Sequence, residues 1–455
     1  MRNMTIKSKF ATAVGKSAFW YLHKFRNGGT SYPGVLATKL DPNVLADLAK
    51  DYELIIVTGT NGKTMTTSLL VEALRKQYDD VLTNPSGSNM IQGITTAFLS
   101  HKKAKTTKKR IAVLEVDEAN VPIITAIVKP KAFVLTNLFR DQMDRYGEIY
   151  TTYDKIVSGI KLAPEALVIA NGDASIFSSR KLPNKFCYYG VATKEEDKTA
   201  DFKAPTNTDG VLCPVCNHIL HYHALSYANL GDYFCVNCGF KRPELTYVVT
   251  KIGKLTPNSI NFEIENQELT MPIGGKYNIY NALTAYSVAR EFDVPAAKII
   301  EALTGSQRLF GRQELIQVND HEINLILVKN PVGLNEIVDL INEEDDDYSL
   351  VALLNAQHAD GIDTSWIWDG NFELLNRAKI KQLIVGGERF HDMALRLEVA
   401  GFDPATMEIV DSIPNVLETI KDAKTKKVYI LSTYTAMLAL RKKMADEKII
   451  AGNME

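Results

Sequence analysis

The stretch ELIIVTGTNGKT, Glu53 to Thr64, carries residue types that bind and transfer phosphate. An apolar run enters a turn containing Gly59 and Gly62, and the turn ends on Lys63 and Thr64 ahead of a helical pattern. The glycines let the backbone turn tightly, so its N–H groups approach phosphate oxygens while the positive end of the following helix faces the same anion. Lys63 adds a mobile charge and Thr64 a hydroxyl for Mg²⁺. The loop is shorter than the pattern G-x-x-x-x-G-K-[ST]: Val57 stands in place of its first glycine, and only Thr60 and Asn61 separate Gly59 from Gly62.

Four of the five cysteines form a second group, Cys213-Pro-Val-Cys216 and Cys235-Val-Asn-Cys238, with eighteen residues between the pairs. This is zinc-ribbon spacing. Four thiolates fill a tetrahedral Zn²⁺ shell and leave no position for catalytic water, so the metal is expected to be structural. His218, His221 and His223 lie in the loop as competing ligands, and Cys₄ satisfies the ion first. Cys187, beside Phe186, Tyr188 and Tyr189, reads as a buried strand residue.

Those groups need a scaffold. A chain of 455 residues with 45% apolar content exceeds what one core organises, so two or three domains are expected. The formal charge of −2 gives no global reason to expect nucleic acid, whose binding leans on clustered Lys and Arg. No apolar run of about 20 residues occurs and no signal-peptide core precedes Arg26, which predicts a cytoplasmic protein. Phe19, Trp20, Tyr21 and Leu22 are expected in the core rather than on a membrane. From Glu53 to Asp173, strand candidates at Leu54–Val57, Ile111–Val116, Phe133–Thr136 and Leu167–Ala170 alternate with helical patterns, predicting a parallel sheet covered on both faces. The charged runs His101–Arg110 and Asn342–Asp347 read as solvated loops. Helical periodicity spans Tyr280–Phe292 and Ala296–Leu303, and Gly305–Glu314 reads as a linker. Strand candidates at Ile323–Val328, Leu350–Leu354, Gln382–Val385 and Val428–Leu431 then predict a second open α/β unit.

Taken together, these motifs resemble the Mur ligase family: GTNGKT as the phosphate loop, LEVDEA at Leu114–Ala119, TNLFRDQMDRYG at Thr136–Gly147, GGKYNIYNALTA at Gly274–Ala285 and GRQE at Gly311–Glu314. The resemblance implies an α/β fold with a central P-loop ATPase domain, residues 51–310, and a C-terminal open α/β (Rossmann-like) domain, residues 311–455. Residues 1–50 are expected to pack on the central domain, and the zinc ribbon to be an insert at about 205–243. The family makes an acyl phosphate from a substrate carboxylate and ATP, and an amine displaces the phosphate. Carried over by position, Gly59, Thr60, Asn61, Gly62, Lys63 and Thr64 would bind ATP, with Lys63 on the β- and γ-phosphates. Thr64, Glu115 and Glu118 would arrange Mg²⁺, Asn278 and Asn281 would sit near the adenine, and Arg312 would meet the phosphates at the domain joint.

Departures from the family pattern narrow the reading. Gln142 follows Asp141 where a His is common, and the helical Lys that the family carbamylates is replaced near Val157, with Lys155 out of register. LVKNPVG, Leu327–Gly333, lacks the Asp and His of the family's DYAHNP segment. A ribbon in the central domain and ADGIDTSWIWD, Ala359–Asp369, together resemble a branch that amidates lipid II. That branch implies a GatD-like glutaminase partner supplying ammonia, lipid II as substrate at the inner face of the membrane, and Asp363 as third member of the partner's Cys-His triad. Asp360 and Asp369 read as turn formers, and Trp366 and Trp368 as interface anchors or core residues. Two rivals remain: a stand-alone Mur-type ligase adding an amino acid, and an ATP-driven zinc-ribbon nucleic-acid-binding protein. Between Val211 and Pro243 only Lys241 and Arg242 are firmly cationic, too few to follow a phosphate backbone.

Overall fold

The computed structural model describes residues 4–26, 31–85, 87–140, 149–205, 210–305 and 313–450. Apolar, β-branched runs form β1 (Tyr52–Thr58), β2 (Val81–Thr83), β3 (Arg110–Glu115), β4 (Ala132–Leu135), β5 (Leu167–Asn171) and β6 (Phe186–Val191). The cysteine segment carries β7 (Phe202–Lys203), β8 (His221–Tyr227) and β9 (Leu230–Phe234), a small sheet of its own. The chain then returns as β10 (Tyr247–Thr256), β11 (Ser259–Ile264) and β12 (Gln267–Met271) to a nine-stranded sheet of order β12-β11-β10-β6-β5-β4-β1-β3-β2. Strands from β2 to β10 run parallel, and β1 is buried on both faces, which accounts for its unbroken apolar run. The strands of Glu53–Asp173 are parallel as expected, and the edge β10-β11-β12, beyond that stretch, is antiparallel, so the whole sheet is mixed. Ser259–Ile264 alternates buried and half-buried residues, a pattern too dilute to stand out beside the continuous runs.

The helices Ile6–Arg26, Tyr32–Leu40 and Val44–Ala49 pack with the Ile91–Ser100 helix. The Gly34 N–H donates to Thr96 Oγ1 at 2.8 Å, and a Cβ on Gly15 would lie 2.6 Å from Leu99 Cδ1. Small residues therefore form the packed face of the first helix. Trp20 and Tyr21 stay 59% and 53% exposed, which overturns their expected core placement. The run His101–Arg110 is a loop, but a tethered one: His101, the Ala104 N–H and Arg110 all converge on buried Asp80. Glu344 in the run Asn342–Asp347 is also not solvated, since it is buried against Lys427 and the Tyr429 hydroxyl. Its carboxyl is desolvated, yet these partners and the Asp346 N–H hold its pKa below the ordinary value.

The second unit comprises β13 (Glu314–Val318), β14 (His321–Leu327), β15 (Tyr348–Leu353), β16 (Ile380–Gly386), β17 (Met407–Val410) and β18 (Lys427–Ser432). Their order is β13-β14-β18-β15-β16-β17, parallel except for β13 against β14. Separate apolar cores fill the unit, one around Leu334, Ile337 and Leu350, the other around Val351, Leu417 and Leu440. All eight strand candidates fall within the two main sheets.

Candidate active site and metal centre

In an open α/β sheet, ligands collect outside the carboxyl ends of the strands, and here three such ends converge. Val57 of β1 pairs with Glu115 at the end of β3, and Thr58 pairs with Leu135 at the end of β4. The turn after β1 is therefore framed by Glu115 on one side and Thr136-Asn137 on the other. Gly59 and Gly62 adopt φ of +131° and +84°, conformations that L side chains rarely take. A Cβ on Gly59 would lie 2.3 Å from Thr136 Oγ1, and one on Gly62 would lie 2.2 Å from Asn281 Oδ1. Asn137 clamps the turn: its carbonyl accepts the Thr60 N–H at 2.9 Å, its Oδ1 accepts the Asn61 N–H at 2.8 Å, and its Nδ2 donates to the Asn61 carbonyl at 3.0 Å. The helix Lys63–Arg75 starts at this turn with no side-chain cap, leaving first-turn amides for an anion.

Lys63 Nζ lies 2.9 Å from Glu118 Oε1 and also donates to the Gly59 carbonyl. Burial alone lowers its pKa, but the Glu118 and Glu115 carboxylates outweigh burial and hold the ammonium above its ordinary value. Lys63 is thus charged, with two buried carboxylates beside it and Thr64 on the same helical turn. That donor set, hydroxyl and carboxylate oxygen beside a phosphate turn, suits Mg²⁺. Asn278 and Asn281 stack one turn apart on the helix Lys276–Glu291: Asn281 Nδ2 donates to Asn278 Oδ1 at 2.9 Å, and Asn278 Nδ2 to the Gly274 carbonyl at 2.7 Å. Arg312 falls outside the described residues, as do Asp141 and Gln142.

An open cleft joins the two units beside this turn, lined by Asn61, Gly62, Asn278 and Asn281 on one wall and by Lys329, Asn330 and Glu336 on the other. Asn330 Nδ2 donates to Asn61 Oδ1 at 3.0 Å, while its Oδ1 caps the helix Pro331–Asn342 through the Gly333 N–H. Gln313, in the left-handed region at φ +62°, donates to the Tyr277 hydroxyl at 2.8 Å. Sequence reasoning assigned no role to Asn137, Asn330, Gln313 or Glu336. Asn137, Asn330 and Gln313 nevertheless lay in segments already set apart, TNLF, LVKNPVG and GRQE, whereas Glu336 did not.

The four ribbon sulfurs all lie within 4.8 Å of one another, with Cys213 to Cys238 at 3.7 Å and Cys216 to Cys235 at 3.5 Å. Sulfurs held about 2.3 Å from one zinc stand about 3.8 Å apart, so the cluster fits the ion and is too open for disulfides. Each pair closes by a knuckle: Asn217 at φ +58° and Gly239 at φ +72° return their N–H groups to the Cys213 and Cys235 carbonyls. His221 bonds Asp201 and His223 bonds the Ala200 carbonyl, and no histidine joins the cluster among the described residues. Arg242, one of the two cations available to a nucleic acid, is tied to Asp173 at 2.9 Å and Asp232 at 3.1 Å. It docks the insert on the central sheet. Cys187 is a buried residue of β6, its thiol pushed up to about 11 by burial.

Asp363 is exposed, and its Oδ1 accepts the Ser365 N–H at 2.8 Å. Ser365 holds its carboxyl below the usual range, so it is an ionised, fixed surface acceptor. Asp360 is structural by contrast: buried, it accepts from the Thr435 N–H and hydroxyl. Asp369 pairs with Arg140 at 3.2 Å across the two units. Trp366 packs half-buried on the core, and Trp368 is 47% exposed.

The Mur ligase middle domain matches residues 57–289, and the MurT ligase C-terminal domain matches residues 327–437. The chain is 45% identical over 451 residues to the MurT subunit of lipid II isoglutaminyl synthase (glutamine-hydrolyzing) from Streptococcus pneumoniae, covering 99% of this chain and 100% of that one. It belongs to the MurT branch of the Mur ligases. A second MurT relative, from Staphylococcus aureus, is 34% identical over 82% of this chain and 83% of its own. The fold extends further: a pseudomurein peptide ligase type C from Methanothermus fervidus superposes with TM-score 0.66 at 18% identity, over 90% of this chain and 81% of that chain. MurF from Thermotoga maritima, solved with ADP, superposes with TM-score 0.59 at 13% identity, over 90% and 85%. In this MurT chain Val157 is an apolar core residue of the helix Ile149–Lys161, so that position offers no metal ligand. No described helix is long and apolar enough to cross a membrane.

Proposed function

We propose that this chain is the ATP-dependent synthetase subunit of an amidotransferase that converts the α-carboxylate of the D-glutamate in lipid II to an amide. One observation carries the reading: a phosphate turn whose Lys63 lies against Glu118 opens into an interdomain cleft, in a chain related end to end to a lipid II isoglutaminyl synthase subunit.

An oxygen of the substrate carboxylate attacks the γ-phosphorus of ATP, the bond to ADP breaks, and an acyl phosphate forms. Ammonia attacks its carbonyl carbon, the bond to phosphate breaks, and nitrogen loses a proton as the amide forms. A glutaminase partner that hydrolyses glutamine to glutamate supplies the ammonia. In this scheme Lys63 and the amides of Gly62, Lys63 and Thr64 hold the β- and γ-phosphates, a fixed cation and dipoles aimed at charge that develops during transfer, while the turn that presents them is held by Asn137. Thr64, Glu115 and Glu118 would hold Mg²⁺, which would supply charge neutralisation at the phosphate oxygens. Asn278 and Asn281 receive the adenine, Arg312 meets the phosphates as the cleft closes, and Asp363 orients the histidine of the partner's Cys-His pair. The four cysteines would hold zinc as a structural ion.

The test is mass analysis of lipid II after incubation with this chain, ATP and ammonium. Exchange of an acid for an amide is expected. Unchanged lipid II, with ATP turnover appearing instead on addition of an amino acid, would transfer the chain to the stand-alone ligases.

A further inference from the structure

The helix Ile6–Arg26 contributes nothing to the cleft, yet its sequence is unlike the rest of the chain. The first forty residues hold seven Lys and Arg and no Asp or Glu, in a protein whose net charge is −2. Packing fixes the orientation of this helix. Ser8 and Ala11 are fully buried, and Gly15 approaches Leu99 and Ala37 so closely that a Cβ would lie 2.6 and 3.2 Å from their side chains. At 3.6 residues per turn, Ile6, Phe10 and Trp20 lie on the opposite face, and Tyr21 and Phe25 stand on its flank near the end of the helix. These are 88%, 61%, 59%, 53% and 60% exposed. Three of the rings cluster, with Phe25 at 6.0 Å from Trp20 and 5.2 Å from Tyr21 between centroids, and Lys24 Nζ stands 5.1 Å from the Trp20 ring. Lys7, Lys9 and Lys16 are exposed along the same helix.

An outward aromatic face on a helix already anchored by its other side is a surface built to be covered. We propose that this face docks on an anionic lipid bilayer. Aromatic rings settle at the headgroup level with their apolar bodies among acyl chains, and lysines beside them pair with lipid phosphates. The helix offers cations without a single carboxylate, a charge pattern complementary to a uniformly negative sheet. Docking would hold the cleft near a lipid-linked carboxylate. That consequence rests on the proposed function, whereas the vesicle binding itself does not.

The experiment is co-sedimentation of the full chain, without ATP or lipid II, with vesicles of phosphatidylcholine alone and of phosphatidylcholine mixed with phosphatidylglycerol. Wild type should sediment with the anionic vesicles and be released by salt. Trp20→Ser with Phe25→Ser should lower the partition coefficient on the order of tenfold per ring, and Lys9→Glu with Lys16→Glu should lower it comparably. All four side chains are exposed, so thermal unfolding of both variants should match wild type, confirming that they fold. No sedimentation of wild type, or equal partition of wild type and both variants, overturns the proposal. So does loss of glutaminase binding in the ring variant with vesicle partition unchanged, which would assign the face to a protein. ATP binding followed by calorimetry in the same samples separates failure of this inference from failure of the proposed function.

Discussion

Glu336 offers a sharp electrostatic test. It projects from the helix Pro331–Asn342 into the cleft wall, is 8% exposed, and has no hydrogen-bond or ion-pair partner among the described residues. Burial, with a smaller contribution from Asp339 and a partial offset from Lys276, pushes its pKa from the ordinary 4.5 up to about 8. Below pH 4.5 the carboxyl is protonated both in the fold and in the unfolded chain, so the fold bears no penalty from it. As pH rises, the unfolded chain releases this proton first, and stability drains away until the folded group itself ionises near pH 8. A gap of about 3.5 pH units at about 1.4 kcal/mol each corresponds to roughly 5 kcal/mol lost across that window. Glu336→Gln keeps the shape and removes the titration. Urea unfolding followed by Trp366 and Trp368 fluorescence between pH 5 and 9 should show wild type losing stability relative to the variant, with the variant the more stable by several kcal/mol at pH 8. Parallel curves for the two proteins would refute a buried, unpartnered carboxyl at this position.

Lys63→Ala should lower ATP turnover on the order of 10²- to 10³-fold, measured as phosphate release with lipid II and ammonium. Gly62→Ala, at φ +84° and with Asn281 Oδ1 in its path, should cost roughly 1–3 kcal/mol in thermal or urea unfolding and abolish ATP uptake in calorimetry. Cys213→Ser with Cys235→Ser should lose the bound zinc and open the segment 205–243 to protease, because metal binding on the order of 10–16 kcal/mol exceeds what so small a core supplies. Asp363→Asn should stop glutamine-driven amidation in the two-subunit complex while ammonium-driven amidation persists; equal loss of both would remove Asp363 from the partner's triad.

Much of the scaffold is legible from residues alone because the parallel strands are buried on both faces and read as unbroken apolar runs, as Ile55, Ile56 and Val57 do. The antiparallel edge β10-β11-β12 and the strand β13 were not, since one face of each meets solvent and alternation over five to ten residues is a weak signal. The phosphate turn and the two C-x₂-C pairs announce themselves, for their chemistry requires fixed types at fixed local spacing. Asn137, Asn330 and Glu336 do not, because each gains its meaning from a neighbour 76 or more residues away or from burial in the cleft wall that only the folded chain creates. The aromatic face of the first helix misled the reading for a related reason. Hydrophobic character predicts burial, but Gly15 and Ala11 offered the closer fit and turned the rings outward.

The most direct measurement is isotope transfer. Lipid II carrying ¹⁸O in the D-glutamate α-carboxylate is incubated with ATP, ammonium and this chain, and the inorganic phosphate is analysed by mass. Activation through an acyl phosphate requires one substrate oxygen to leave on the phosphate, so each amide formed should yield one ¹⁸O-labelled phosphate. Amide formation accompanied by unlabelled phosphate would contradict the account.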